Sequence, residues 1–292
     1  MPSARQILIV NSRSVHQPVF VIGAPHSGTG IVGRVLKAAP GFHVTMGQPS
    51  VLRVVYAFAR RPSMHQGRSD AAAAVLRDAF AQAWQVTSSS CLDCSRDCRA
   101  AAGLGNGVLG SCMEQRGLER YGDASADLLY CAEALTGAFG NARFIQVIRD
   151  GKDAVADMLT DPAVMTWFRP SFDNTDTEYP HPFYGIEDAG DLEQWPSLSA
   201  AGKCALRWRW SVRLAARLHK DMPDGCLKTV RYEELVKHPK ATVAELSEFA
   251  GIKLPHTLVP QVKASPASTL GSAQLTDITK VAGEELRRLG YT

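Results

Sequence analysis

Residues 20–30 read FVIGAPHSGTG. The apolar run Val19–Ile22 has the length and composition of a buried strand, Gly23 opens a turn that closes at Gly28, and Ile31 to Ala39 continues as a helix. A strand that turns through two glycines into a helix leaves few architectures open, because the strand must be covered on both faces. The turn Gly23–Thr29 directs backbone N–H groups inward around an anion, and the helix start adds its positive end. Ser27 and Thr29 add hydroxyl donors. The ATP-binding loop of this outline carries lysine after the second glycine; here that position is Thr29, and His26 occupies the middle of the loop. By itself the pattern also fits a plain strand–turn–helix joint.

Two more strand–helix units follow. Arg143–Ile148 (RFIQVI) leads into RDGKDAVADML, and Leu227–Tyr232 (LKTVRY) leads through EELVKHP into KATVAELSEFAGI. Strands alternating with helices predict an α/β fold: a three-layer parallel sheet of P-loop type, flanked by helices on both faces. Ligands of such sheets sit at the carboxyl ends of the strands, where Gly23–Thr29 and Arg149–Asp150 fall. Further helices are expected at Ala71–Gln85, Ala126–Phe139 and Ala205–Lys220. Residues 162–198 are rich in Pro, Asp and aromatics without a sustained period, and read as a lid loop. With 292 residues, 45% of them hydrophobic, the chain can bury a sizeable core. A net charge of +3 is too mild to argue for nucleic acid or a membrane surface. The apolar runs Ile7–Val10 and Val19–Ile22 are too short for a signal peptide or a bilayer span, so a cytoplasmic location is expected.

Taken together, these stretches resemble the PAPS-dependent sulfotransferases, in their bacterial and Golgi-type branch. PHSGTG, residues 25–30, stands where that family has its 5′-phosphosulfate loop, P-R-S-G-T-[TS]. RFIQVIRDGKDAVAD, residues 143–157, matches the strand and R-D-P/G-x-D element that binds the cofactor's 3′-phosphate. GDASADLLYCAEALTGAFGNARF resembles the family's approach to that strand, TVRYEELVKHPKATVAELSEFAGI its V-R-Y-E-D-L-x-x-x-P signature, and GEELRRLGY its usual ending. The resemblance covers about residues 18–60, 121–160 and 203–292 of what reads as one domain, 1–292. It implies sulfuryl transfer from 3′-phosphoadenosine 5′-phosphosulfate (PAPS), leaving PAP, to a hydroxyl or amine of a small-molecule or carbohydrate acceptor. It also implies a cofactor site at Gly23, Pro25, His26, Ser27, Gly28, Thr29, Gly30, Arg149 and Asp157. A sulfuryl group carries less charge than a γ-phosphoryl group and moves without Mg²⁺, so a kinase-type lysine is not required. A hydrogen-bonding cradle and one cation near the bridging oxygen suffice.

Four family positions differ. The loop cation is His26, which keeps a donor for the leaving phosphate and is the expected catalytic residue. The family's basic Glu is replaced by Gln48, which cannot accept a proton and is expected to position the acceptor. His43 and His65 are near enough in sequence to replace the base, against the plainer reading of ordinary surface histidines; His65 is carried as an acceptor contact. The Lys of the D-K-S-P stretch is Ala124, and the Ser eight residues after the 3′-phosphate Arg is Asp157, whose carboxylate would repel a phosphate it faced. Arg149 could instead form a surface pair with Asp150 or Asp153. These departures keep two alternatives open: a P-loop phosphotransferase, which would need Mg²⁺, and a catalytically altered nucleotide-binding module.

Cys91, Cys94, Cys98 and Cys112 give C-x2-C-x3-C-x13-C within an insert of about residues 86–120. Four thiolates within 22 residues suit a tetrahedral zinc site. Reduced thiols or disulfides, and an iron–sulfur cluster, are the alternatives. Cys131, Cys204 and Cys226 are scattered singly, unlike a disulfide framework. The acceptor is expected to meet residues 53–68, the cysteine insert and the lid; nothing in the sequence sets an oligomeric state.

Overall fold

The computed structural model describes residues 7–65, 69–87, 91, 94–105, 110–113, 117–169, 178–254 and 270–291. A short hairpin, β1 (Ile9–Val10) and β2 (Arg13–Ser14), precedes the central strand β3 (Val19–Gly23). The helix α1 (Thr29–Lys37) then runs to β4 (Phe42–Thr45) and α2 (Pro49–Arg60). After α3 (Ser69–Ala83) and the short α4 (Arg96–Ala101), the chain enters β5 (Arg120–Ala124), a 3₁₀ stretch Ala126–Cys131 and α5 (Ala132–Ala138). β6 (Arg143–Ile148), α6 (Gly151–Thr160), α7 (Pro162–Thr166), α8 (Ala189–Gln194) and the 22-residue α9 (Ala200–Asp221) follow. β7 (Leu227–Arg231), α10 (Tyr232–Lys237), α11 (Pro239–Ala250) and α12 (Ser272–Arg288) complete the order. The five-stranded sheet is wholly parallel, in the order β4-β5-β3-β6-β7.

The alternation of β3 sorts its side chains to two cores. Phe20 and Ile22 face α2, α3, α5, α6, α9 and α12, where Phe20 meets the rings of Phe80, Trp84, Phe139 and Phe144. Val19 and Val21 face α1, α10 and α11 with Ile145, Val147, Leu235 and Leu246. This is the expected sandwich, with two strands that the sequence conceals. β4 reads FHVT and β5 reads RYGDA, too short and too polar for an apolar-run criterion. β5 is nevertheless buried beside β3: a Cβ on Gly122 would lie 2.5 Å from the Val19 carbonyl and 3.2 Å from the Phe42 ring, so glycine allows that approach.

Other expectations shift in detail. The helix expected over 126–139 begins as a 3₁₀ turn and becomes α5 only at Ala132. Among its described residues the stretch 162–198 holds two short α-helices and the 3₁₀ turn Trp195–Ser197, where the sequence shows no sustained period, while its residues 170–177 lie outside the described ones. Capping explains both helices. Asp161 Oδ1 accepts from the Ala163 N–H at 2.8 Å with Pro162 at the first position, and Asp188 Oδ1 accepts from Asp191 N–H at 2.9 Å. Parts of the cysteine insert, residues 88–90, 92–93, 106–109 and 114–116, also lie outside. Among the described residues no helix is long and apolar enough to cross a membrane.

Candidate active site

The carboxyl ends of β3, β5 and β6 open into one cleft of about 570 Å³. Its floor is the loop after β3. A Cβ on Gly23 would stand 2.5 Å from the Val147 carbonyl, so only glycine lets the loop leave the sheet there. Gly28 has φ 104°, and His26, at φ 61°, shares the left-handed region. The Ser27 N–H closes the turn on the Ala24 carbonyl at 3.1 Å. Ser27 is fully buried, and its hydroxyl has no hydrogen-bond partner among the described residues. A buried unpartnered hydroxyl costs energy unless something completes it. It sits just ahead of the first turn of α1, where free N–H groups gather.

Arg149 stands opposite, at the end of β6, and is only 4% exposed. Its Nη1 donates to the His26 carbonyl at 2.9 Å and to Asp157 Oδ2 at 2.6 Å, while its Nε finds no partner among the described residues. Its pair is therefore with Asp157 on α6, and it is not the surface pair with Asp150 or Asp153 that the sequence left open. Asp150 instead caps α6 through the Lys152 N–H, and its own N–H donates to Glu233 at 2.8 Å. One aromatic supports the guanidinium and another holds its backbone. Tyr232 lies beneath it at 4.6 Å and also fills the space beside Gly28, and the Trp208 indole donates to the Arg149 carbonyl at 3.3 Å. The V-R-Y-E stretch thus has a physical job here. Tyr232 supports Arg149, Glu233 bridges the α6 start to the Tyr291 hydroxyl, and Arg231 lies 4.5 Å over the Tyr291 ring.

His26 points to the other side of the cleft, where its Nε2 lies 2.9 Å from Asp161 Oδ2. The cleft is also lined by Arg34, Tyr56, Ser125, Asp127, Trp167 and Arg207. Beneath it, the buried Asp123 accepts from Thr45 at 2.6 Å and Ser125 at 2.5 Å, and Ser125 Oγ accepts from the Gly47 N–H at 2.8 Å. Burial raises the Asp123 carboxyl to about 7, against the pull of these hydroxyl donors.

Of the residues singled out in the sequence, the cleft gathers Pro25, His26, Gly28, Thr29, Gly30, Arg149 and Asp157. Gly23 and Ser27 lie beneath them. Gln48 does not line the cleft; it is 7% exposed at the start of α2, with its Oε1 unpartnered among the described residues. His65 lines a separate cavity of about 230 Å³ with Phe58, Cys131 and Glu133, and burial lowers its pKa. His43 is buried in β4, where burial, and then Lys37, lower its pKa to about 4; it does not reach the cleft. The sequence passed over Asp127, Asp161 and Arg207. Asp161 sits before a proline and caps a helix, a signal that could have marked it; Asp127 and Arg207 meet only through the fold.

The four cysteines of the insert come together. Thiol hydrogen bonds run among Cys91, Cys94, Cys98 and Cys112. Donation from Cys112 and Cys94 holds the Cys98 sulfur far below the usual thiol range, while contacts with Cys112, Cys91 and Cys98 push Cys94 up, and the contact with Cys91 pushes Cys112 up. Lys37 Nζ donates to Cys98 Sγ at 3.5 Å, and the Cys112 N–H donates to Cys91 Sγ at 3.0 Å. Among the described residues no group of three or more His, Cys, Asp or Glu side chains is placed so that it could hold a metal ion. The cluster adjoins the cleft through Ser95, which donates to the Met46 carbonyl and accepts from Cys98 N–H at 3.1 Å.

A family model described as "Sulfotransferase family" matches residues 18–256. No curated protein matches the chain. Among solved structures, the chain is similar to a sulfotransferase from Alicyclobacillus acidocaldarius, at 15% identity over 94% of both chains and a TM-score of 0.47. It is similar to sulfotransferase STF9 from Mycobacterium avium at 13% identity, over 96% of this chain and 78% of that one, with a TM-score of 0.49. It is also similar to mouse sulfotransferase SULT7A1 complexed with PAP, at 12% identity over 93% and 85% of the two chains and a TM-score of 0.42.

Proposed function

The chain belongs to the sulfotransferase family, a family of PAPS-dependent enzymes, and we propose that its cleft moves a sulfuryl group from PAPS to a hydroxyl or amine of a small-molecule or carbohydrate acceptor. The observation that carries this reading is the pairing of two anion sites across one cleft. One is the loop Gly23–Thr29, with the buried Ser27 hydroxyl at the α1 start; the other is Arg149, buried and stacked on Tyr232; among the described residues neither the Ser27 hydroxyl nor the Arg149 Nε has a partner. A ligand with phosphates at both ends of an adenosine would complete both. Ser27, the loop N–H groups and Thr29 would hold the 5′ end, and Arg149 the 3′-phosphate. His26 would donate to the oxygen that leaves with the phosphate, and Asp161 orients its ring. PAPS brings the activated sulfuryl group; the residues bind it, orient it and stabilise the charge that develops on departure. No lysine is among the described residues that line the cleft, which favours this reading over a P-loop phosphotransferase.

Titration calorimetry tests the assignment. PAP should bind, and ATP with Mg²⁺ should bind at least tenfold more weakly, because only PAP carries both a 3′- and a 5′-phosphate. Equal affinity for PAP and ADP would remove Arg149 from the cofactor site.

The insert carries a second part of the reading, a structural zinc ion held by Cys91, Cys94, Cys98 and Cys112. The support is their spacing together with their mutual contact beside Lys37. Zinc would take the place of the thiol protons and tie residues 91–112 to the cleft wall. Elemental analysis of protein purified without chelators should give about one zinc per chain; metal-free protein would leave a hydrogen-bonded thiol cluster.

A further inference from the structure

The family's basic glutamate is Gln48 here, and none of Gln48, His43 and His65 is among the residues that line the cleft. The reaction nevertheless has to remove a proton from a neutral hydroxyl, so a base must come from the cleft itself. Among the described residues four carboxylates line it: Asp97, Asp127, Asp157 and Asp161. Asp157 is bound to Arg149 at 2.6 Å, on the side of the 3′-phosphate. Asp161 has both oxygens engaged, one by the Ala163 N–H and one by His26. Asp97 is exposed at the start of α4, across the cleft on the cysteine insert.

Asp127 differs from all three. It lies three residues past the end of β5, in the first turn of the 3₁₀ stretch. Its Oδ1 accepts from Arg207 Nη2 at 3.0 Å, and among the described residues nothing bonds its second oxygen. Arg207 is itself fixed: it is 2% exposed, its Nε donates to the Tyr130 hydroxyl at 3.3 Å, and its guanidinium lies 4.6 Å over the Phe183 ring. One oxygen is therefore clamped, while the side chain stays 18% exposed and lines the cleft. Tyr56 and Trp167 build the wall there, edge to face at 5.5 Å. The groups that face Asp127 are Arg207 from α9, Tyr56 from α2, Tyr130 and Cys131 from its own 3₁₀ stretch, and Asp161 at the α7 start. Burial raises its carboxyl pKa, Arg207 pulls it back, and Asp161 raises it further, so the sum leaves a stronger base than a free aspartate.

We propose that Asp127 is the general base of the transfer, its unclamped oxygen taking the proton of the acceptor as the acceptor attacks. This rests on the sulfotransferase reading of the same cleft. As the acceptor oxygen or nitrogen forms its bond to sulfur, the bond from sulfur to the phosphate oxygen breaks. That oxygen leaves with the electron pair, facing His26, and the acceptor's proton passes to Asp127. Arg207 is a positioning residue that holds the carboxylate in place.

The test uses Asp127→Asn, with Asp127→Glu as the variant that keeps a base. PAP affinity is read by calorimetry, carboxyl titration by carbon NMR of aspartate-labelled protein, and transfer from radiolabelled PAPS to water, simple alcohols, amines and 4-nitrophenol as a function of pH. In the wild type, a carboxyl signal distinct from that of the raised Asp123 should titrate above the usual aspartate range and vanish in Asp127→Asn, with PAP affinity unchanged within about twofold. Transfer to alcohols and water should fall about 10²–10³-fold in Asp127→Asn. Transfer to the already acidic 4-nitrophenol should fall far less, and Asp127→Glu should recover part of the loss and the acid limb of the pH profile. Asp127→Asn transferring to alcohols at the wild-type rate, or keeping the wild-type acid limb, overturns the proposal. So does an Asp127 signal that titrates as a free aspartate, a result that stands even if the variants fail to fold. A wild type that does not bind PAP overturns the sulfotransferase reading instead.

Discussion

Replacing Asp157 by asparagine isolates the most unexpected feature of the phosphate side of the cleft, a carboxylate on the very arginine proposed to hold the 3′-phosphate. Asp157 Oδ2 lies 2.6 Å from Arg149 Nη1, with the Asp157 side chain 38% exposed and that of Arg149 5% exposed. A phosphate taking the free Nε would stand roughly 6 Å from that carboxylate. Two unit charges at this separation repel by about 3 kcal/mol at an effective dielectric near 20 and by about 0.7 kcal/mol in bulk water. The exposure of Asp157 places the effect toward the lower value, about 1 kcal/mol, or a roughly fivefold gain in PAP affinity for Asp157→Asn. The opposing effect is lost orientation of Arg149. That loss is small, because Tyr232 stacks on the guanidinium and the His26 carbonyl accepts from the same Nη1 whether or not Asp157 is charged. Calorimetry with PAP near 0.05 M and 0.3 M salt should show the gain and its shrinkage as screening grows. Equal or weaker binding by Asp157→Asn would refute the reasoning: the carboxylate would then be needed to hold Arg149, and charge repulsion would not decide the affinity.

The fold was legible where apolar runs meet glycine. Val19–Gly23, Arg143–Ile148 and Leu227–Arg231 are three of the five sheet strands, and all three stand out as apolar or β-branched runs that end in a turn. β4 and β5 were not legible, because their burial depends on partners far along the chain. His43 and Thr45 are tolerated inside because β5 and the insert cover them, and Asp123 because Thr45 and Ser125 satisfy it. The phosphate side of the site could be read for the same reason as the strands, since a loop of fixed spacing follows each strand. The acceptor side could not. Asp127 follows β5, Tyr56 lies on α2, Trp167 follows α7 and Arg207 lies on α9, so four separate segments meet only after the sheet has set their order.

Three further perturbations probe the site and its support. His26→Ala should cut transfer about 10²–10³-fold while His26→Arg retains it, measured as PAP release with an acceptor, since the change removes a donor to developing charge. Gly28→Ala should lower the melting temperature and abolish PAP binding, because a Cβ at φ 104° would stand 2.6 Å from the Tyr232 ring. The last concerns pH, where two buried groups act in opposite senses. Asp123 has a folded pKa of about 7 against an unfolded value near 4, so the folded state holds a proton there that the unfolded state releases. Its contribution therefore falls as pH rises through that window, by up to about 4 kcal/mol. His181 is fully buried, stacked on Tyr184 at 4.0 Å, and burial followed by the charge of Arg207 lowers it to about 3. Its stabilising contribution is complete above the unfolded value near 6.5 and is lost as pH falls, by about 3 kcal/mol at pH 4. Urea unfolding from pH 4 to 8 should show Asp123→Asn gaining on the wild type steadily as pH rises, whatever its fixed cost in lost hydrogen bonds, and His181→Phe gaining as pH falls. Curves parallel to the wild type would mean that Asp123 is ionised in the fold throughout, and that the hydroxyls of Thr45 and Ser125, not a proton, keep it buried.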